Sequence, residues 1–208
     1  MSLLTIWGYT IEDADNLTPI ISVDEFNTMT AGKYNGDVRT ASMIGAASSA
    51  VRNFVGWHLC GAHKCLVSGF IGLSPAFTRT CGEILVQLPA RLVSGVSSVK
   101  IDGNAIDPDK CLLENNGILH IVDTGSAWRA KVEIEYTAGL EDALCQSIKE
   151  LTANCVTHAL ANSYGVTSEA SGGVSITYNA TWAASPRATS LADDNKDSLM
   201  PYKVQGVF

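Results

Sequence analysis

Charged residues are scarce in this sequence, and basic residues are the scarcer kind. Asp, Glu, Lys and Arg make up 17% of the 208 residues, whereas about 25% is usual for a soluble domain. The 14 basic residues are scattered and are outnumbered by 21 acidic ones, which gives a net charge of −7. A protein that holds nucleic acid by its phosphates needs a clustered Lys and Arg face, so that class is excluded. The weakly charged composition favours a chain that contacts copies of itself.

Long apolar runs, a secretion signal and the common catalytic motifs are missing as well. No run approaches 18 apolar residues, which predicts no membrane span, and the first residues lack the basic-then-apolar pattern of a signal peptide. We therefore expect the six cysteines to be reduced thiols. The chain has no Walker loop, no Gly-x-Gly-x-x-Gly and no Gly-x-Ser-x-Gly, so no nucleotide, cofactor or catalytic serine is predicted. The prediction is a protein that is not an enzyme.

Two stretches have the periodicity of an amphipathic helix. Apolar or small residues recur at spacings of three and four, which predicts one helix over about residues 37–56 and a second over about residues 141–163. The predicted buried face of the first helix consists of Ala41, Ile44, Ser48, Val51 and Val55, and that of the second consists of Leu144, Ile148, Leu151, Cys155 and Ala159.

The residues between these helices change to a strand-like pattern. Lys131 to Tyr136 alternate charged and apolar side chains, as a half-buried strand does. Asn116-Gly117 stands between two apolar runs and predicts a hairpin turn. These signals predict a small antiparallel β unit over about residues 83–137. Residues 58–82, which contain four glycines and three cysteines, are interpreted as a loop or a loosely ordered hairpin.

The predicted fold class is therefore α+β, a helical bundle of two main helices with an inserted small antiparallel β unit and extended termini. We predict an N-terminal arm over residues 1–23, a single α+β domain over residues 24–179 and a C-terminal tail over residues 180–208. Asp24 is the predicted N-cap of a first short helix at the start of the domain.

One segment collects cysteine and histidine side chains: His58, Cys60, His63 and Cys65 lie within eight residues. Two imidazoles and two thiols are the ligand atoms of a tetrahedral zinc site. The spacing argues against zinc, because structural sites separate their two ligand pairs by a longer element, whereas all four residues here crowd one segment. Ordinary packing is the preferred interpretation and no metal is predicted. A zinc-stabilised module built on residues 58–65 is kept as an alternative.

A series of short stretches follow one another in an order that resembles a known family. They are residues 46–58, 88–89, 93–103, 132–139, 164–169, 172–178 and 199–203. In this order they are similar to the head–tail connector proteins of tailed phages, also called adaptor or head-completion proteins. The resemblance covers roughly residues 24–203, and the cysteine-rich segment 58–82 departs from it.

The resemblance implies a structural role without chemistry. Such proteins dock beneath the portal of the DNA-filled head, usually in twelve copies, extend the DNA channel as a ring and present a platform to the next neck or tail protein. The implied partners are other copies of the chain, the portal protein, a neck or tail completion protein, and double-stranded DNA that passes without sequence recognition. The implied location is the head–tail junction of the virion, and the bacterial cytoplasm during assembly.

Side chains near the two ends of the chain are the expected partner contacts, because aromatic residues commonly anchor interfaces. They are Trp7, Tyr9, Trp182, Leu199, Tyr202 and Phe208. A rival prediction is another virion part, such as a tail terminator or neck protein, which tends toward a β-dominated sheet with flanking helices.

Overall fold

The computed structural model describes residues 10–11, 17–80, 82–122, 125, 129–161, 168–171, 174–177 and 193–204. The chain divides into two units, each assembled from separate stretches of sequence. Residues 1–17, 55–145 and 201–208 form the first, which we call the β unit. Residues 18–54 and 146–200 form the second, which we call the helical unit.

Antiparallel pairing organises the β unit. Its described strands are β1 Thr10–Ile11, β2 His63–Phe70, β3 Phe77–Thr80, β4 Glu83–Gln87, β5 Val93–Ile101, β6 Asn104–Ala105, β7 Cys111–Leu113, β8 Ile118–Val122 and β9 Lys131–Ala138. They form a five-stranded sheet in the order β1-β2-β9-β5-β6 and a four-stranded sheet in the order β3-β4-β8-β7. The chain alternates between the two sheets as it proceeds from β2 to β9.

Alternating burial gives each sheet one apolar face. Along β9, Val132, Ile134, Tyr136 and Ala138 are buried, whereas the residues between them are partly or fully exposed. This period of two is the side-chain period of a strand. The four-stranded sheet contributes its own buried set, which consists of Phe77, Ile84, Val86, Leu119 and Ile121.

Gly69 and Gly139 are among the glycines of the β unit that lie where a side chain has no room. A Cβ atom on Gly69 of β2 would lie 2.4 Å from the ring of Phe77, which is fully buried. A Cβ atom on Gly139 would lie 1.8 Å from the carbonyl oxygen of Gly61, and the φ of Gly139 is +143°. Glycine at these positions permits the close approach of neighbouring strands and turns.

The predicted helical bundle with a small inserted β unit is wrong. Nine described strands in two sheets form the β unit. Residues 58–82, interpreted as a loop or a loosely ordered hairpin, contain the regular strands β2 and β3, which pair with β9 and β4 and not with each other. The four glycines of this segment favoured an irregular structure, but the structure requires glycine at position 69 because the Phe77 ring packs against β2 there. The stability of β2 comes from its pairing with β9, which lies far away in sequence and leaves no local pattern.

The helical unit is built from shorter stretches on either side of the β unit in sequence. The helices are α1 Val23–Met29, α2 Thr40–Val55, α3 Asp142–Ala161 and α4 Asp193–Leu199, and the hairpin strands are β10 Ser168–Ser171 and β11 Val174–Thr177. The last residue of α2 and the first four of α3 are assigned to the β unit. The two long helices that the periodicity predicts are therefore present, with bounds close to the predicted ones.

The buried faces of the long helices agree only in part with the prediction. In α2, Ile44, Ser48, Val51 and Val55 are buried as predicted, whereas Ala41 is exposed. In α3, Leu144 is exposed, and the buried face consists of Cys145, Ile148, Thr152, Ala153, Val156 and Leu160. The buried face of α3 begins at Cys145, one residue after the predicted Leu144, and it includes Thr152. A buried threonine is tolerated there because its hydroxyl donates a hydrogen bond to the Ile148 carbonyl oxygen at 2.8 Å.

Polar contacts fasten the helical unit. Ser22, and not the predicted Asp24, is the N-cap of α1, because Ser22 and Glu25 together form a capping box. The Glu25 carboxylate also accepts a hydrogen bond from Lys149 Nζ at 2.8 Å, which ties α1 to α3. Ser48 Oγ of α2 accepts a hydrogen bond from the Ile20 backbone N–H at 3.0 Å.

Candidate assembly surfaces

Hydrogen bonds to main-chain atoms fasten the last described residues to the β unit. Trp57 Nε1–H donates to the Tyr202 carbonyl oxygen at 2.8 Å, and the Arg91 guanidinium donates to the Pro201 carbonyl oxygen. The Val204 backbone N–H donates to the Val55 carbonyl oxygen at 2.9 Å. Tyr202, an expected partner contact, is thus positioned through its backbone, and the residue is partly exposed.

Leu199, the other expected contact among the described residues, lies at the end of α4 and is only 1% exposed. On the same helix, the Asn195 amide donates to Cys155 Sγ at 3.4 Å. Burial raises the pKa of the Cys155 thiol, so this group is neutral at physiological pH. Leu199 is therefore a core residue of its own chain in this structure. The remaining expected contacts, Trp7, Tyr9, Trp182 and Phe208, lie outside the described residues.

The cysteine- and histidine-containing segment leads into β2. His58 is fully buried, and its Nε2 is hydrogen-bonded to the Ala138 carbonyl oxygen at 2.7 Å. The ring of His63 meets that of His58 edge-on, with 5.1 Å between centroids. Cys65 is buried and its thiol donates to the His63 carbonyl at 3.5 Å, while Cys60 lies in an isolated β-bridge. In the part of the chain that the structure describes, no group of three or more His, Cys, Asp or Glu residues could hold a metal ion.

A histidine between two carboxylates lies on the outer face of the four-stranded sheet. His120 Nδ1 is 3.2 Å from Glu83 Oε2, and His120 Nε2 is 2.8 Å from Glu114 Oε1. Both ring nitrogens can donate only when the imidazole is protonated. The hydrogen bonds to Glu83 and then to Glu114 accordingly raise the pKa of His120 above its usual 6.5. No local sequence pattern indicated this cluster, since Glu83 and His120 meet only through the pairing of β4 with β8.

Apolar side chains remain exposed at opposite rims of the β unit. Phe70, at the end of β2, is 46% exposed, and Leu73, in the turn before β3, is 60% exposed. Leu112 of β7 is 67% exposed. Beside β7 is a cavity of about 380 Å³. Its lining is largely apolar and includes Val96, Val99, Ile106, Pro108, Leu113 and Leu119.

A comparison with protein families decides the class of this molecule. The model of the family described as head completion protein matches residues 19–191, which is most of the chain. The chain belongs to the head completion protein family. The resemblance inferred from the order of short stretches is thereby confirmed. No curated protein matches the chain.

Membership of the head completion protein family supports a structural role in the phage head. The family is one of structural phage proteins, so the surfaces described above are best considered as contacts for assembly. The side chains of His58 and Cys65 are hydrogen-bonded to carbonyl oxygens of the same chain. No helix among the described residues is long and apolar enough to span a bilayer.

Proposed function

We propose that copies of this head completion protein form a ring on the portal of the DNA-filled head, extend the DNA channel and present a platform to the neck or tail. The family match over residues 19–191 is the observation that carries this proposal. A ring of identical subunits needs a heterologous contact, in which two different surfaces of each copy meet. The exposed apolar groups at the two rims of the β unit supply two such surfaces.

The charge balance supports passage of DNA without capture. The chain carries a net charge of −7, and a channel wall of that sign repels the phosphates of the duplex. A protein that held DNA by its backbone would instead present clustered Lys and Arg side chains. The proposed ring, of twelve copies as the resemblance implies, therefore guides the duplex and does not read its sequence.

The proposed partner contacts are the aromatic side chains near the chain ends. Trp7, Tyr9, Trp182 and Phe208 are of the type that commonly anchors interfaces. Tyr202 is partly exposed and is held in place by the Trp57 hydrogen bond to its carbonyl. Leu199 is proposed to act from within the chain by fixing α4, since it is buried.

The proposal is tested with a phage that lacks this gene. We expect DNA-filled heads that lose their DNA and do not join tails, and we expect addition of the purified protein to these heads to restore infectious particles. Trp182→Ala should reduce restoration, whereas Val38→Ala, at an exposed position in the loop before α2, should leave it unchanged. Heads that keep their DNA and join tails in the absence of the protein would contradict the proposal.

The strand-rich β unit favours a second candidate, a neck or tail-terminator protein. Such proteins tend toward a β-dominated sheet with flanking helices, and nine described strands fit that description. The two candidates differ in which particle the protein binds first. Sedimentation of the purified protein with separated heads and with separated tails distinguishes them, because binding to tails alone would favour the second.

A further inference from the structure

The four-stranded sheet of the β unit has edge strands that run in opposite directions. Its order is β3-β4-β8-β7, and each neighbouring pair is antiparallel. Because the number of strands is even, β3 and β7 are antiparallel to each other. The β7 edge of one copy can therefore meet the β3 edge of a second copy, placed beside it in the same orientation, in the antiparallel manner used within the sheet.

The strand register is continuous across the sheet. Thr78 of β3 pairs with Leu85, Leu85 pairs with His120, and His120 pairs with Leu112 of β7. These four residues form one row, and both of its end members, Thr78 and Leu112, are exposed. A second copy that continued this row would bring its Thr78 next to Leu112 of the first.

The β7 edge is short, with three residues, but it is otherwise unprotected against such pairing. Exposed edges are normally guarded by short strand length, charged side chains, proline or bulges within the strand. The strand β7 is Cys111-Leu112-Leu113, and it carries no charge. Among the described residues no further strand pairs with β7 beyond β8, or with β3 beyond β4. An apolar edge with a largely exposed leucine is an expected site of strand pairing with another chain.

The groups around the two edges complement each other. The β7 edge borders the cavity of about 380 Å³ and is preceded by two exposed acids, Asp107 and Asp109, and one exposed base, Lys110. The β3 edge carries Arg79, and the turn that leads into it presents Leu73. The apolar cavity and an excess of one acid thus lie at one end of the sheet, and an apolar side chain and a base lie at the other.

We propose that neighbouring copies of this chain join by pairing the β7 edge of one with the β3 edge of the next, with apolar side chains of the β3 side covering the cavity beside β7. This inference rests on the proposed ring, for which it names the contact between subunits. The two edges are different surfaces, so the contact is heterologous and repeats from copy to copy. Such a contact closes into a ring when the rotation between copies permits, as on a portal template.

Disulfide crosslinking in completed heads tests the proposal. The double variant Thr78→Cys, Leu112→Cys should give a ladder of crosslinked multimers on a non-reducing gel, because the paired rows bring the two thiols within disulfide reach. Each single variant should give no ladder, and the unmodified chain measures the background from its native thiols. Thr80→Cys with Leu112→Cys, one strand repeat out of register, is the matched control and should crosslink more weakly.

A charged substitution provides a second measurement that needs no oxidation. Leu112→Asp should leave the thermal unfolding of the isolated chain unchanged, because the side chain is exposed, but should lower head completion by about tenfold or more by placing a charge on the paired edge. Val38→Asp, at a position that is 94% exposed in the helical unit, should complete heads like the unmodified chain.

The outcomes separate this inference from the proposed function. A ladder from the double variant alone, together with a specific loss in Leu112→Asp, supports pairing of β7 with β3. Heads that are completed by the double variant without a ladder, or by Leu112→Asp at the normal level, would overturn the edge contact and leave the proposed function standing. Failure of the unmodified chain to bind and complete heads would overturn the proposed function itself.

Discussion

The β unit and the helical unit are stabilised in different ways. In the β unit, strands that are distant in sequence pair over a shared apolar core, and glycines such as Gly69 and Gly139 permit contacts that a methyl group would block. In the helical unit, the long helices α2 and α3 bury one apolar face each, and local polar contacts such as the Glu25–Lys149 ion pair and the Ser22 cap of α1 add to this packing.

This difference predicts how the stability of each unit responds to amino-acid substitution. Close packing transmits any added volume as strain, so the β unit should tolerate few substitutions and should keep its edge strands in fixed positions. A partly exposed ion pair contributes about 1 kcal/mol or less, so loss of the Glu25–Lys149 contact should cost the helical unit little. A rigid β unit suits a repeated contact between copies.

The largest expected change in folding stability comes from adding a methyl group to Gly139 of the β unit, and the same change at Gly45 of the helical unit is its comparison. Gly139→Ala should destabilise the chain by about 4 kcal/mol or prevent folding, because its Cβ would overlap the Gly61 carbonyl at a φ that disfavours alanine. Gly45→Ala in α2, where a Cβ meets nothing within 4 Å, should instead stabilise by about 0.5–1 kcal/mol, since alanine is the better helix former. Urea unfolding of both variants measures the free energy of unfolding. Equal changes in the two variants would show that the β unit is not packed more tightly at Gly139 than α2 is at Gly45.

A second substitution tests whether Leu199 contributes to a packed apolar core in the helical unit. Leu199→Ala should cost about 2–4 kcal/mol, because the side chain is buried at the end of α4. Leu144→Ala, at an exposed position of α3, should cost less than about 0.5 kcal/mol. Thermal unfolding compares the two, and an equally small loss for Leu199 would show that α4 is not packed as described.

A third prediction concerns pH and the helical unit. The hydrogen bond from Lys149, followed by that from the Ser22 backbone, lowers the pKa of Glu25 from 4.5 to about 2. A carboxyl with a depressed pKa in the folded chain stabilises above its unfolded pKa, and this stabilisation is lost as pH falls from about 4.5 towards 2. Because the Glu25 side chain is partly exposed, the contribution should be about 1 kcal/mol.

Glu25→Gln measures this contribution directly. The variant should be less stable than the unmodified chain at pH 7 and should approach it near pH 2, where the native carboxyl becomes protonated. Glu141→Gln, whose carboxyl has no hydrogen bond described here, is the comparison variant. A constant difference between Glu25→Gln and the unmodified chain at all pH values would show that the charge of Glu25 does not act through Lys149.

The smallest expected change in stability comes from the protonation of His120, on the outer face of the four-stranded sheet. The pKa of His120 is raised by Glu83 and by Glu114, so the stabilisation is present below the unfolded pKa and is lost as pH rises through the folded value. NMR titration should give a pKa above 6.5 for His120, and Glu83→Gln or Glu114→Gln should lower it. A pKa that neither substitution changes would contradict the hydrogen bonds described here.

The two units also differ in what their sequences reveal. The long helices were predicted because spacings of three and four, as at Ile44, Ser48 and Val51, are local signals. The strand β2 was missed because its partner β9 is distant in sequence and because residues 58–82 contain four glycines. The hairpin turn at Asn116-Gly117 was found, since its signal lies in two adjacent residues: Gly117 has a φ of +82° between β7 and β8.

The candidate surfaces were predicted less well than the family. The order of short stretches was enough to indicate the head completion protein family, which the family model confirms. The β3 and β7 edges could not be predicted, because an edge strand can be identified only when the order of strands in the sheet is known. Leu199 was expected to face a partner, yet a leucine in a charged and polar stretch has no local feature that distinguishes a core position from a contact.

Electron microscopy of heads assembled with and without this protein tests the central claim most directly. The account predicts that DNA-filled heads from a phage lacking the gene end at the portal, and that the added protein forms a further ring of density beneath the portal, coaxial with the DNA. Density for the protein on tails alone, or on the capsid shell away from the portal, would contradict the account.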